Sequence, residues 1–484
     1  MTKPTGASLE KWMPLGQRLS HAVHRSEHLA NPFCNILNCT SKSEAQYPDL
    51  MGHKGAWWRL FHSIKGAGII LLRSCIYWPN ALKLSLPEKS VDVVIISHLT
   101  SAEHLQQEND FYFGDLVQQL NEHGITSHSI LINHARVGGA IPSMNTRTVL
   151  PAFLSPAREA MIIIRLIMAS FTMPRLAGKD MGRFHFLARL AQFNNRAIGD
   201  YRIGSMLVHA ITQLSPKVVI HTYEGHGWER IVNKAAHSKP DTICVYGYQH
   251  AVIFPGAKPV LENRGNATPD YVLTTGEAAK NLLISNSSIP GDRFSILGSI
   301  KARDDEMPAQ FTPTGACLIA PEGTLSEVRL MADMGIQAAR ANPGQTFILR
   351  LHPVLSRQLV EKALSVNYPL PRNFVLSNVS LQEDLNRSSW LCYRGSTVSF
   401  QAVLAGLRPL YLDPDGRAKF NDPLPDSLTL RYRCATASEI NAVITADKRS
   451  LKYYEDEWGE AFTFTKNYLM PFDPSQLIER IKAS

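Results

Sequence analysis

Long apolar runs are missing from this chain of 484 residues. The two longest, Gly66 to Trp78 and Ala160 to Met173, are interrupted by Arg73 and Arg165 and fall short of the roughly 20 residues a bilayer span requires. The N-terminal MTKPTGASLEKW has no basic region followed by an apolar core, which speaks against a secretory signal. Cysteine is sparse: seven residues, at 34, 39, 75, 244, 317, 392 and 434, form an odd and scattered set. Their one close pair matches neither a zinc half-site nor a CxxC motif, so reduced thiols in a cytoplasmic protein are expected. No Walker A, no GxSxG and no GxGxxG with a downstream acid occurs, which leaves P-loop, hydrolase and dinucleotide chemistry without support. Basic residues never form a run of five or six, and neither zinc-finger spacing nor an RNA-binding aromatic signature is present; nucleic acid is not an expected partner.

What is there is ordinary globular composition, 44% apolar and 19% charged, in a length that suits two large domains. The net charge of +8 favours anionic partners: nucleotide phosphates, acidic sugars or lipid head groups. Residues 56 to 78 mix Trp57, Trp58, Phe61 and Trp78 with Arg59, Lys65 and Arg73, a combination that suits a membrane interface or a helix packed on the first domain.

A strand–helix rhythm begins after about residue 85. Strands are expected at Val91 to Ser97, Thr126 to Ile132, Lys217 to His221, Thr242 to Tyr246, Tyr271 to Thr274 and Phe294 to Leu297, with helices at Asp110 to His123, between Pro156 and Leu214, and at Gly227 to Ser238. Residues 301 to 314, charged and then rich in Pro and Thr, read as a linker. The rhythm restarts with strands at Gly315 to Ala320, Thr346 to Leu351, Asn373 to Leu376, Ser389 to Tyr393 and Arg408 to Leu412. Helices alternate with them at Leu325 to Asn342, Leu355 to Ser365, Leu381 to Asn386 and Ser396 to Ala405. The pattern predicts an α/β protein with two Rossmann-like domains facing a central cleft. Its expected parts are an N-terminal extension (1–85), which could associate with membranes, a first domain (86–305), a second domain (306–450) and a helical C-terminal segment (451–484) that could cross back to the first.

Polar turns at the carboxyl ends of these strands are where a doubly wound sheet binds ligands. In the second domain they are Pro321-Glu322-Gly323-Thr324, Arg350-Leu351-His352-Pro353 and Tyr393-Arg394-Gly395-Ser396-Thr397. Gly395 permits a tight turn, while Ser396 and Thr397 can cap a helix and leave N–H groups and hydroxyls for an anion; a plain N-cap would look the same. His352 at a strand end can donate to a phosphate or serve as a structural hydrogen-bonder. In the first domain His221-Thr222-Tyr223-Glu224-Gly225-His226-Gly227-Trp228-Glu229-Arg230 leads from a strand into a helix. Glu224 there is a candidate general base, His226 a neighbour in the cleft, and Glu229 a cap or a partner for Arg230. Gln249 and His250 follow the next strand and would line the same edge. Asp413-Pro414-Asp415-Gly416 has the DxD form of a metal site, but its PDG is better explained as a turn, so no metal is expected.

With these residues in place, the stretch from about residue 210 to 415 resembles bacterial GT-B glycosyltransferases of surface polysaccharide synthesis. The resemblance is to capsule Kdo transferases and polysialyltransferases that use CMP-activated acidic sugars. Their His-Pro motif matches His352-Pro353, and their Ser-Ser or Ser-Thr motif matches Ser396-Thr397. Their acidic-Gly motif, which supplies the base, has two matches, Glu224-Gly225 and Glu322-Gly323. The resemblance implies a glycosyltransferase that holds a CMP-sugar on His352, Pro353, Ser396 and Thr397, and the polar turns beside them add Glu322, Gly323, Thr324, Arg394 and Gly395 as candidates for the same nucleotide site. Glu224 and His352 would be catalytic, and His226, Gln249 and His250 would meet a glycan or glycolipid acceptor. It implies no cofactor beyond the nucleotide sugar; the protein is expected to be cytoplasmic, and residues 56 to 78 leave open a peripheral contact with the inner face of the cell membrane. A GT-B transferase using a UDP-sugar, GDP-sugar or CDP-glycerol, and a non-catalytic nucleotide- or sugar-binding assembly protein, are compatible with the same residues.

Overall fold

The computed structural model describes residues 15–16, 18–35, 56–138, 146–177, 181–238, 243–254, 260, 262–302, 314–352, 355–364, 369–414, 421–449 and 454–483. After helix α1 (Ala56–Tyr77) the first sheet is built from β1 (Val93–Leu99), β2 (Ser127–Asn133), β3 (Arg147–Val149), β4 (Val218–Thr222), β5 (Cys244–Gln249), β6 (Tyr271–Thr274) and β7 (Phe294–Ile296). Its helices are α2 (Leu116–Glu122), α3 (Pro156–Phe171), α4 (Met181–Ala191), α5 (Asn195–Leu214), α6 (Gly227–Ala236) and α7 (Glu277–Asn286). The second sheet comprises β8 (Ala316–Ala320), β9 (Phe347–Leu349), β10 (Phe374–Leu376), β11 (Ser388–Tyr393), β12 (Arg408–Leu412) and β13 (Tyr432–Cys434). With it go α8 (Leu325–Ala341), α9 (Arg357–Leu364), α10 (Leu381–Asn386), α11 (Val398–Leu404) and α12 (Ala437–Arg449), followed by α13 (Tyr454–Tyr468) and α14 (Ser475–Ala483).

Both sheets are parallel, and both are doubly wound as expected. The first runs β3-β2-β1-β4-β5-β6-β7 and the second β10-β9-β8-β11-β12-β13. Each therefore reverses direction once, between β1 and β4 and between β8 and β11, and those are the points where adjacent loops diverge and leave a crevice. The strands are buried on both faces, as β-branched runs covered by helices must be: all seven residues of β1 and all five of β8 are buried.

Departures from the sequence expectation have local causes. The helix expected over Asp110 to His123 begins only at Leu116, because the Asp110 carboxylate accepts the N–H groups of Tyr112 and Phe113 and the hydroxyl of Ser97, and so holds a turn instead. The strand expected at Thr242 to Tyr246 starts at Cys244 and continues to Gln249, where Gly247 lets Tyr223 and Pro269 pack against its backbone. The linker expected at 301 to 314 falls almost wholly outside the described residues.

The C-terminal segment packs against elements of both sheets. Helix α13 packs on α11 of the second domain and on α7 of the first. Its Tyr468 hydroxyl accepts the Ile253 N–H at 2.7 Å, the Thr275 hydroxyl donates to the Tyr468 carbonyl, and the Tyr468 ring lies 4.6 Å from that of Phe400. At the following break Gly298, with φ of +80°, admits the Pro471 carbonyl so closely that a Cβ would lie 1.9 Å from its oxygen. Leu477, Ile478 and Ile481 of α14 then enter one core with Val93, Ile95 and Phe113. Ile478→Ala should therefore cost about 2–4 kcal/mol of stability in denaturant unfolding, although it lies in the last helix. A cost near zero would mean that α14 is not part of the first domain's core.

Candidate functional site at two sheet reversals

The first sheet's reversal point is built around one turn. Beyond β4 the chain bends through Tyr223, Glu224, Gly225 and His226 before α6 begins, with Gly225 at φ +84°. Such a bend exposes backbone donors. Fully buried Glu229, in the first turn of α6, accepts the N–H groups of Glu224 at 3.0 Å, Gly225 at 2.7 Å and His226 at 3.0 Å. Its role is the cap that the sequence suggested. Arg230 beside it, also buried, donates to the carbonyls of Gly225 and Cys34 rather than to Glu229, and so ties the turn to the N-terminal segment.

Held on this turn, the Glu224 carboxylate lies 3.1 Å from His226 Nε2 and 2.9 Å from His250 Nε2. Burial works to raise its pKa, but the hydrogen bonds and charge of the two imidazoles outweigh it and hold the group well below the ordinary carboxylate value. His226 moves the other way. Burial opposes its charge, yet the bond to Glu224 and the nearby carboxylates of Glu229, Glu224 and Asp200 raise it to about 9. The resting pair is thus carboxylate and imidazolium at neutral pH.

Two further groups that the sequence reading did not single out, His98 and Tyr112, complete this edge together with Gln249, which it did. His98, at the end of β1, is 2.8 Å from both His134 Nε2 and the Thr222 hydroxyl, and burial together with His134 keeps it well below its usual pKa, hence neutral. The ring of Tyr112 lies 4.4 Å from that of His250. Gln249 is buried, and its Oε1 has no hydrogen-bond partner among the described residues. The sequence signal for His98 was a histidine closing the first strand, next to the reversal point.

In the second sheet the order β9-β8-β11 sets the three predicted turns side by side at one carboxyl edge. Thr324 caps α8 by accepting the Glu327 N–H at 3.4 Å, and Gly323 precedes it in the same loop. Buried Glu322 reaches across to the β11 turn: a Cβ on Gly395, whose φ is +55°, would lie 1.9 Å from its Oε1. Arg394 is buried as well, and its Nε lies 3.2 Å from Glu327 Oε1, which places this cation inside the loop architecture. Ser396 Oγ accepts the Val398 N–H, while Thr397 is exposed, at the start of α11, without a side-chain capping bond. His352 is half-buried beyond β9, and its carbonyl accepts the Leu355 N–H. Pro353 lies outside the described residues.

The two edges meet one continuous core. Tyr223, one residue before Glu224, and Tyr393, one residue before Arg394, belong to the same buried cluster as Ile253, Phe400 and Tyr468.

No family model matches the chain, and no curated protein matches it. Solved structures are similar at low identity. The UDP-GlcNAc 2-epimerase of Neisseria meningitidis, bound to UDP-GlcNAc, shares 13% identity over 82% of this chain and all of its own, with a TM-score of 0.46. The calicheamicin glycosyltransferase CalG4 shares 10% over 81% of this chain and 98% of its own, at 0.45, and the wall teichoic acid polymerase TagF (H548A) 10% over 88% and 98%, at 0.43. At these values nothing about the chemistry of this chain follows from the likeness.

Two outcomes follow from the first edge. Glu224's contribution to stability is present above its ordinary pKa of 4.5 and lost on acidification, whereas that of His226 is complete below 6.5 and lost as the pH climbs to about 9. The melting-temperature deficit of Glu224→Gln should therefore be largest between about pH 5 and 6.5 and shrink toward pH 9; a deficit that grows with pH would contradict the ion pair. Glu229→Ala strands three backbone donors and should cost about 3 kcal/mol or more by urea titration.

Proposed function

We propose that this chain is a metal-independent glycosyltransferase that moves an acidic sugar (Kdo, sialic acid or a related nonulosonic acid) from a CMP-activated donor to a surface-glycan acceptor. The observation that carries this reading is the pairing of two unlike edges on one core: a carboxylate between imidazoles at the first sheet reversal, and a hydroxyl-bearing helix start and a histidine strand end on either side of β8 at the second.

In the proposed reaction the nucleotide lies across Glu322, Gly323, Thr324, His352, Pro353, Arg394, Gly395, Ser396 and Thr397. Strands β9 and β11 flank β8 and stand about 10 Å apart, a gap that a nucleoside monophosphate bridges. The acceptor oxygen attacks the anomeric carbon as the bond from that carbon to the phosphate oxygen breaks, and CMP leaves with the electron pair. Negative charge gathers on the phosphate, where His352, the hydroxyls of Ser396 and Thr397 and the free N–H groups of the turn oppose it. The acceptor's proton passes to Glu224. A carboxylate held as low as Glu224 is a weak base at rest, so the acceptor hydroxyl takes the place of one imidazole donor, and the carboxylate regains basicity as it does so. His226, Gln249 and His250 line the acceptor side, Gln249 with its unpartnered oxygen turned to a sugar hydroxyl. The net charge of +8 suits an anionic donor and an anionic acceptor.

A thermal-shift panel of CMP, CDP, UDP and GDP tests the donor. CMP at about 100 times its dissociation constant should add about 2.7 kcal/mol to stability, and Ser396→Ala with Thr397→Val should weaken it about tenfold. Stabilisation by UDP alone would overturn the CMP assignment and favour a UDP-sugar.

A further inference from the structure

Helix α1 is inside out. Its buried side carries small residues, Ser63, Gly66, Ala67 and Ser74, and it is held there by hydrogen bonds from Ser63 to the Leu190 carbonyl and from Ser74 to the Leu154 carbonyl. A Cβ on Gly66 would lie 2.0 Å from Asn195 Oδ1, so the Asn195 side chain at the start of α5 packs directly on the Gly66 backbone. The bulk faces out: Trp57, Phe61, Ile64, Leu72 and Ile76 are each more than half exposed, and their spacing puts them on one stripe of the helix. Helix α3, packed beside α1, repeats the pattern with Met161, Ile164, Met168 and Phe171, again more than half exposed. Two adjoining helices that turn nine large apolar side chains to the outside form a surface of the kind that marks an interaction site.

The charge on this face has one sign. No Asp or Glu occurs between Asp49 and Glu88, and the single acid of α3, Glu159, is buried against Arg202 at 2.8 Å. Exposed Lys65, Arg73, Lys83, Arg158 and Arg165 border the apolar stripes; of these Arg165 has a carboxylate, Glu27, 3.5 Å away. Two copies of the chain joined through this face would bring cation against cation with almost no acid to answer them. An anionic bilayer answers both features, taking the apolar side chains among its acyl chains and the cations at its phosphates. A groove of about 1410 Å³ lined by Met161, Ile164, Met168, Arg158 and Arg165 opens along α3 and continues the surface toward α5.

We infer that the α1–α3 face docks the protein on a membrane surface rich in anionic lipid, lying in the interface without crossing it. No helix among the described residues is long and apolar enough to span a bilayer. This inference stands on a surface separate from the two sheet edges and holds whatever sugar or nucleotide they bind.

Sedimentation of the full chain with vesicles tests it. The protein should pellet with phosphatidylcholine vesicles containing phosphatidylglycerol, weakly or not at all with phosphatidylcholine alone, and should be released by salt. Lys65→Glu with Arg158→Glu should weaken binding about fivefold or more for each cation reversed. Ile164→Ser with Met168→Ser should abolish it, and since all four positions are exposed both variants should keep the wild-type melting temperature. Wild-type protein that stays in the supernatant with anionic vesicles at low salt would overturn the inference. So would vesicle binding untouched by Ile164→Ser with Met168→Ser while the same change dissolves a dimer, since the face would then belong to a second copy.

Discussion

Everything proposed for the first edge depends on the three backbone N–H groups that converge on the Glu229 carboxylate. A chain leaving β4 can turn sharply enough to lift Glu224 clear of the strand only if the donors exposed by the turn find an acceptor. Glu229 supplies that acceptor from inside the helix it caps. Arg230 then anchors the turn to the N-terminal segment through the Cys34 carbonyl, and Asn31 of that segment donates to Ala188 and Gln192. A stretch of sequence without strand pattern thus becomes the floor of the candidate site.

The second constraint is the crossing tail. Two doubly wound sheets joined by one linker would be free to choose their separation, but α13 and α14 tie them twice, first through Tyr468 to Ile253 and Phe400 and then through Ile478 and its neighbours to β1. His250 stands three residues before Ile253, and Phe400 lies in the helix that begins just after Thr397, so Tyr468 sits between the two edges. Any change of separation during a reaction cycle must move this tyrosine or bend around it.

Much of the framework was legible in the chain. β-Branched runs such as VVIISHL and KVVIH suit strands covered on both faces, which their alternation with helical stretches makes parallel, and the polar residues that follow each run mark the carboxyl edge. Glu224, Ser396 and Thr397 could be picked out for that reason. Strands β3 and β13 were missed because three residues carry no period, and α7 because EAAKNLLISN sits between two strands without a capping side chain. His98, His134 and Thr222 were missed for a different cause. Thr222 lies 124 positions from the His98 it contacts, and only the order β2-β1-β4 brings the three together. The outward face of α3 was equally hidden: its sequence shows an apolar helix, and which stripe faces solvent is settled by α1 and α5 packing on the other sides.

The proposed chemistry requires that Glu224 act on the acceptor while the nucleotide is held elsewhere. The most direct measurement is the transfer rate of Glu224→Gln from a CMP-sugar, set beside its affinity for CMP. Turnover reduced by about 10²-fold or more with CMP affinity unchanged is the predicted result. Turnover close to that of the unaltered protein, or loss of CMP affinity in step with rate, would contradict it.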